Sequence, residues 1–375
     1  RRGPQLLHVI TQKGKGYGPA EADSIKYHGV SAFTPEKVEP AAVIDSAAPQ
    51  KAKAKTYSHI FTEALIEIAG LNEKLVAITP ATAEGSGLVQ FGKQFPDRFF
   101  DVAICEQHAV TMAAGLAKSG LLPIVSIYST FLQRAIDQVI HDVGILNLPV
   151  IFGIDRGGLV EDGETHQGVF DITYMRSIPN MRVFAPRDAS ELRNILYTLA
   201  MNPIGPAAVR FPRDKALNVQ ADMPFQEIDL SSWEILEEGD QNGPVLLAFG
   251  SMVDVALKCI EELKTGQNPI NPSIINARSC KPLDAISLDK ILNGSRKVIT
   301  LEEGALAGGF GSAVLEHAAA LRMSNPEMTQ PQIACIGIKE HFVEHGSRNI
   351  LLNDNGLTPE RVIEFIRRFN PSKQD

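Results

Sequence analysis

Through most of the chain, short continuous apolar runs alternate with longer stretches whose apolar residues recur every three to four positions. From Tyr57 onward the alternation is regular. "YSHIFTEALIEIAG" carries Ile60, Ala64 and Ile68 at helical spacing and predicts a helix, and "LVAIT" after it predicts a strand. "FFDVAIC" predicts a second strand that runs straight into "EQHAVTMAAGLAKSG", a helix closed by Gly120. "PIVSIY", "PVIFGID", "MRVFAP" and "AAVRFP" predict further strands, with helices over "FLQRAIDQVIHDVGIL" and "DASELRNILYTLAM". Apolar strands of this kind between helices predict a parallel sheet covered on both faces. The α/β domain so defined spans 56–215.

Residues 216–240 read as a connector, after which the pattern restarts. Strands are predicted at "VLLAFG", "SIINAR", "KVITLEE" and "QIACIGI", with helices at "MVDVALKCIEELK", "GSAVLEHAAALR" and "PERVIEFIRRF". This is a second, smaller α/β domain over 241–375, with right-handed connections expected in both sheets. At the front, "LLHVIT" (6–11) reads as a buried strand followed by the glycine-punctuated loop "QKGKGYGPAE", one strand and one loop of 1–31 with no domain around them. Alanine, proline and lysine dominate 32–55, which reads as a linker.

Composition narrows the function. Hydrophobic residues at 44% and charged ones at 21% argue for packed domains over extensive disorder. A net charge of −8 disfavours nucleic acid as the main partner, because phosphate backbones recruit basic surfaces. Cys105, Cys259, Cys280 and Cys335 show no paired metal spacing and suit a reducing compartment, so a cytoplasmic location is expected. No apolar run reaches membrane-spanning length. The chain does not begin with Met, and it reads as a piece of a longer protein.

Candidate chemistry gathers at the predicted strand ends, where open parallel sheets bind ligands. Glu106 follows "FFDVAIC", Tyr128 to Arg134 follow "VSI", Arg156 follows "IFGID", and Arg213 follows "AAVRFP". After Arg156 comes "VEDGETHQGVFD", which sets Asp162, Glu164 and His166 among glycines. Each residue has a structural explanation too. Glu106 suits a helix N-terminus, His108 and His141 suit helix surfaces, Phe131 suits a core, and Arg134 and Arg156 suit ion pairs.

The stretches "CEQHAVTMAAGLAKSGLLPIVSIYSTFLQRAIDQVIHD", "DRGGLVEDGETHQGVFDITYMRSIPNM" and "AAVRFPRD" resemble the 1-deoxy-D-xylulose-5-phosphate synthase family, thiamine-diphosphate enzymes of the transketolase type. "HVITQKGKGYGPAEADSIKYHGV", "EEGALAGGFGSAV" and "FVEHGS" extend the likeness to nearly the whole chain outside the two linkers. The resemblance implies a pyrimidine-binding domain followed by the transketolase C-terminal domain. It implies condensation of pyruvate with D-glyceraldehyde 3-phosphate, releasing CO₂ and feeding isoprenoid, thiamine and pyridoxal synthesis. It maps Glu106 to the carboxyl that hydrogen-bonds N1′ of the cofactor's aminopyrimidine, and Phe131 to the ring stacked on that pyrimidine. Asp162 and His166 map over the cofactor. Tyr128, Arg134, Arg156 and Arg213 map to the positions that hold the acceptor phosphate and the pyruvate carboxylate, a task suited to the guanidinium fork. Lys13 and His28 map to residues that approach the cofactor from the family's first domain.

The departures also count. "LVEDG" is one residue shorter than the family's usual form, and Ala83 stands where an Arg is common. The family's Mg²⁺-binding Gly-Asp-Gly domain is expected to precede Arg1, so no Mg²⁺ ligand is assigned, and this stretch alone is expected to be inactive. A homodimer is expected at full length. Two other readings stay open here: the pyrimidine-binding subunit of a split transketolase or 2-oxo acid dehydrogenase, and a non-catalytic dimerising fragment. "LEEGALAGGFGSAV" imitates a dinucleotide fingerprint but lacks its third glycine and a following acid.

Overall fold

A computed structural model describes residues 3–22, 27, 54–220, 222–265, 268–294 and 297–370. The chain divides into two compact units, 1–53 and 54–375.

In the first unit the expected strand at 6–11 is not formed. Leu6, Leu7, Val9 and Ile10 are all exposed on irregular backbone. A strand's amide groups need a neighbour's ladder, and no described segment offers one. Turns follow at 13–16, then the short helix Gly18–Ala22. His28 and the linker 32–53 lie outside the described residues.

The second unit holds both predicted sheets. The first comprises β1 (Leu75–Thr79), β2 (Phe99–Asp101), β3 (Leu122–Tyr128), β4 (Ile151–Asp155), β5 (Arg182–Phe184) and β6 (Ala207–Arg210). The second comprises β7 (Glu234–Glu237), β8 (Val245–Ala248), β9 (Ser273–Asn276), β11 (Val298–Ala305) and β12 (Ile333–Ile338). β10 (Ser279–Lys281) crosses over and joins the first sheet, antiparallel to β5. The orders are β10-β5-β6-β4-β3-β1-β2 and β12-β11-β8-β9-β7, and only the edge strands β10 and β7 run antiparallel. The connector expected at 216–240 therefore contains a strand of the second sheet.

Helix Tyr57–Leu71 forms as its spacing predicts: Ile60, Ala64 and Ile68 are fully buried, and Thr56 caps it by accepting from His59 N. β1 and β4 are buried along their whole length, the signature of a sheet covered on both faces. One core cluster runs continuously from Val125 and Phe152 of the first sheet to Val245, Phe249 and Phe310 of the second domain. The two domains share a core, so a change in one reaches the other.

Two elements differ from expectation. The strand predicted over "FFDVAIC" ends at Asp101. β2 is an edge strand, and the Asp101 carboxylate accepts from Ala81 N at 2.9 Å and Ala103 N at 3.0 Å, turning the chain before Glu106. The helix predicted over 131–146 is a succession of α, 3₁₀, α and π segments from Ser129 to Gly144. Such π insertions accompany functional sites, and Phe131 and Arg134 lie just before this one.

Candidate active site

The first sheet reverses its order around β1: β2 lies on one side and β3 on the other. Ligands of open α/β sheets bind beyond the carboxyl ends at such a switch point, and the site assembles there. Tyr128 and Asp155 end β3 and β4 side by side, in direct register. Asp155 is fully buried. Its Oδ2 accepts from Ser58 Oγ at 2.8 Å and pairs with Arg156 at 2.9 Å, while its Oδ1 accepts Arg156 N at 2.7 Å. Burial pushes the Asp155 carboxyl up against the opposing pull of Arg156 and Ser58. Arg156, at φ 59, is held so that its guanidinium carbon lies 3.5 Å from the centroid of the Tyr128 ring. Gly85 makes room: a methyl group there would collide with the Tyr128 hydroxyl. Burial raises the Tyr128 phenol above its ordinary range, with Arg156 opposing.

From Tyr128 the contacts run on without a break. Phe131 stacks on Tyr128 at 5.3 Å and 17° and meets the His166 ring edge-on at 5.6 Å. Arg134 lies 4.9 Å over the Phe131 ring and donates to Glu106 Oε1 at 2.6 Å. Glu106 opens helix Glu106–Lys118 and is buried, whereas the Arg134 side chain is 51% exposed. Among the described residues, Glu106 Oε2 accepts no hydrogen bond and remains able to take a donor.

The loop after β4 closes over this row. Gly158 and Gly168 exchange backbone hydrogen bonds of 2.7 and 2.8 Å, pinching the loop at its base. Gln167 accepts from Val160 N at 2.8 Å and donates to Val160 O at 3.0 Å. Thr130 donates to Thr165 O at 2.8 Å, which holds the loop against Phe131's segment. Asp162, at the tip, pairs with Arg213 at 2.6 Å, and both side chains are nearly half exposed. Beside them is a cavity of about 260 Å³ lined by Val160, Glu161, Arg213, Asp214 and Ser347–Asn349.

The second domain supports the loop through the buried Glu303, which stands next to a second buried acid, Glu302. Glu303 accepts from Leu159 N at 2.7 Å and Ser251 Oγ at 2.6 Å and pairs with Arg348. Burial alone would raise its pKa, but Arg348 and these donors hold it below the ordinary value. Glu302 accepts from Phe310 N at 2.7 Å and Gly311 N at 2.8 Å at the start of helix Phe310–Ser324. Burial outweighs those bonds and pushes Glu302 up from 4.5 to about 7. The folded chain then holds more protons than the unfolded one between these values. The stability this contributes is complete below 4.5 and is lost as pH rises through 7. Glu302→Gln should flatten the fall of urea-melt stability between pH 5 and 7.5, by up to about 3 kcal/mol.

Of the residues singled out in the sequence, Glu106, Tyr128, Phe131, Arg134, Arg156 and His166 form this one connected row, and Asp162 with Arg213 flank it. The ion pairs weighed for Arg134 and Arg156 are both present. Arg156 is only 11% exposed, so the accessible guanidinium groups are those of Arg134 and Arg213. Lys13 lies exposed on a turn of the other unit. Sequence reasoning missed Asp155, Gly85, Gln167, Glu303 and Arg348. Glu303 stands in the quoted "EEG" run, but its partners come from 144 and 45 residues away, a separation no local pattern signals. Among the described residues no cluster of His, Cys, Asp and Glu could hold a metal ion, and no described helix is long and apolar enough to cross a membrane.

Residues 53–217 match the transketolase pyrimidine-binding domain and 232–362 the transketolase C-terminal domain. The 1-deoxy-D-xylulose-5-phosphate synthase of Pelotomaculum thermopropionicum is 45% identical over 379 residues, covering 100% of this chain. That of Aquifex aeolicus is 48% identical over 368 residues, covering 98%. This chain belongs to the 1-deoxy-D-xylulose-5-phosphate synthase family. It spans little more than half the length of these synthases, 57% and 55% respectively. Among solved structures, a split-gene transketolase described as an inactive beta4 tetramer superposes with a TM-score of 0.71 at 27% identity, covering 84% of this chain and 98% of that one. The Campylobacter jejuni transketolase, at 20% identity and TM-score 0.67, shares the fold. The residues present fit the pyrimidine half of the synthases' thiamine cofactor: a buried carboxylate with an open oxygen stands beside a half-buried aromatic ring.

Proposed function

We propose that this chain carries the pyrimidine-binding and acceptor-binding half of a 1-deoxy-D-xylulose-5-phosphate synthase, condensing pyruvate with D-glyceraldehyde 3-phosphate and releasing CO₂. The observation that supports it most is the unbroken row Glu106–Arg134–Phe131–Tyr128–Arg156 at the sheet's switch point. Bound thiamine diphosphate would supply a carbon nucleophile and an electron sink for decarboxylation. Glu106 Oε2 would hold N1′ of the bound pyrimidine through a shared proton, and Phe131 would offer its ring as a stacking platform. Arg134 holds the Glu106 carboxyl in place through its 2.6 Å contact with Oε1. His166, fixed against Phe131 and hydrogen-bonded with Thr165 Oγ1 at 2.9 Å, hydrogen-bonds the substrate oxygens and passes protons to them.

Arg213 is the accessible donor for the acceptor's phosphate, next to the cavity, and Asp162 holds it until the anion arrives. Arg156 works mainly through Tyr128, whose hydroxyl it presents. Mg²⁺ and the cofactor's diphosphate would be held by a part of the synthase outside the matched stretch. The working enzyme is a homodimer in the cytoplasm. A β-type chain of a split transketolase shares the fold, but higher identity and coverage reaching residues before 54 favour the synthase.

The acceptor site has a direct test. In this chain combined with the N-terminal domain of a synthase relative, Arg213→Ala should raise the KM for glyceraldehyde 3-phosphate at least about tenfold, the value of a charge-assisted hydrogen bond. The KM for unphosphorylated D-glyceraldehyde should stay unchanged. Equal effects on both acceptors would remove Arg213 from the phosphate site.

A further inference from the structure

The loop 159–168 is held at its base by an ion pair from another domain. Leu159 donates its N–H to Glu303 Oε1 at 2.7 Å, and its carbonyl accepts from Arg348 NH1 at 2.8 Å. One residue of the loop thus has both backbone groups gripped by a single acid–base pair. The pair is itself fixed: Arg348 NH2 reaches Glu303 Oε2 at 2.9 Å, Ser251 donates to the same oxygen at 2.6 Å, and Arg348 Nε reaches Asp214 at 3.1 Å. Glu303 is fully buried and the Arg348 side chain 13% exposed.

Burying such a pair costs more desolvation than a well-packed apolar pair of the same shape. Apolar side chains, however, could not satisfy the Leu159 peptide groups, which lie where no strand neighbour serves them. The next residue, Val160, is gripped in the same way by Gln167, whose amide also donates to Val343 O at 3.4 Å and Glu344 O at 3.3 Å. The polar groups of Leu159 and Val160 are therefore held by side chains, while the Leu159 side chain packs into the second domain's core, and Asp162 and His166 ride on this loop.

We infer that Glu303 and Arg348 are positioning residues of the second domain that set the loop's height over the acceptor site. The kinetic part of this inference rests on the proposed synthase reaction; the structural part does not. Without the pair, Leu159 loses both of its backbone anchors, and Asp162 and His166 lose their registry with Arg213 and Phe131. The consequence falls mainly on the acceptor step, because Glu106 follows β2 and Arg134 follows β3, and among the described residues neither shares a hydrogen bond or ion pair with Glu303 or Arg348.

Amide hydrogen exchange on the 375-residue chain reads the loop directly. Glu303→Gln and Arg348→Met should each accelerate exchange over 159–168 at least tenfold, while β3 and β4 keep wild-type protection. Arg348→Lys keeps the charge and should recover part of the loss, which guards against a variant that simply misfolds. Wild-type loop exchange in folded variants would overturn the inference. With the N-terminal domain of a relative added, the same variants should raise the acceptor KM at least tenfold and lower acceptor-independent CO₂ release from pyruvate by a much smaller factor. Equal loss in both reactions would reduce the pair to a general structural role and contradict positioning. A silent wild type with faster loop exchange in the variants would refute the proposed reaction and uphold the clamp.

Discussion

Glu106→Ala should lower turnover by about 10³-fold once the chain is combined with the N-terminal domain of a synthase relative, within the range by which a positioned acid or base accelerates reaction. The side chain is buried at the first turn of its helix, one oxygen is engaged by Arg134 and the other is open. Alanine removes the only acid in that helix's first turn and leaves Arg134 without its 2.6 Å partner. The loss to the fold is small, because an acid at a helix N-terminus contributes only about 0.3–1 kcal/mol. The variant should therefore melt nearly as the parent does while the KM for the acceptor stays close to normal. Steady-state assays beside a thermal melt separate the two effects. A variant within tenfold of wild-type turnover would end the assignment of Glu106.

The second large effect concerns stability. Arg210→Met should destabilise the unit by about 3–5 kcal/mol, the cost of leaving one member of a buried ion pair alone. Arg210 is 3% exposed. It reaches Asp171 Oδ2 at 2.8 Å and also donates to the carbonyls of Gly168 at 3.3 Å and Glu303 at 3.1 Å. Asp171 is equally buried, and its Oδ1 has no partner, so the carboxylate depends on this one cation. Arg210→Met with Asp171→Leu removes both charges and should recover much of the loss in urea melts. Additive losses in the double variant would show that the pair is not coupled.

How much of this was legible in the sequence follows from the range of the forces. The helix Tyr57–Leu71 and strands β1, β3, β4, β6, β8, β9, β11 and β12 follow from local periodicity, because burial on both faces needs continuous apolar runs. The six residues of the site row were found because they sit at strand ends and within family motifs. What escaped is set by distant partners. "LLHVIT" has strand composition, yet its apolar side chains are exposed because composition cannot supply a neighbouring ladder. "SCK" at β10 is too short and polar to signal a strand, and it exists only because β5 lies beside it. "EILE" at β7 fell inside an expected connector for the same reason: β9 makes it a strand. Asp155 reads as the polar end of "IFGID", and only the fold brings Ser58 to it across 97 residues. Likewise the pairing of all three site arginines with acids depends on which loops the sheet brings together.

By this reading the chain carries a competent acid and acceptor site. Mixing it with the separately produced N-terminal domain of a synthase relative, Mg²⁺, thiamine diphosphate and pyruvate, and following CO₂ as glyceraldehyde 3-phosphate is titrated in, tests that claim most directly. CO₂ release should rise and saturate with the acceptor and fall about 10³-fold in Glu106→Ala. No release from two folded partners, or release indifferent to both acceptor and Glu106, would contradict it.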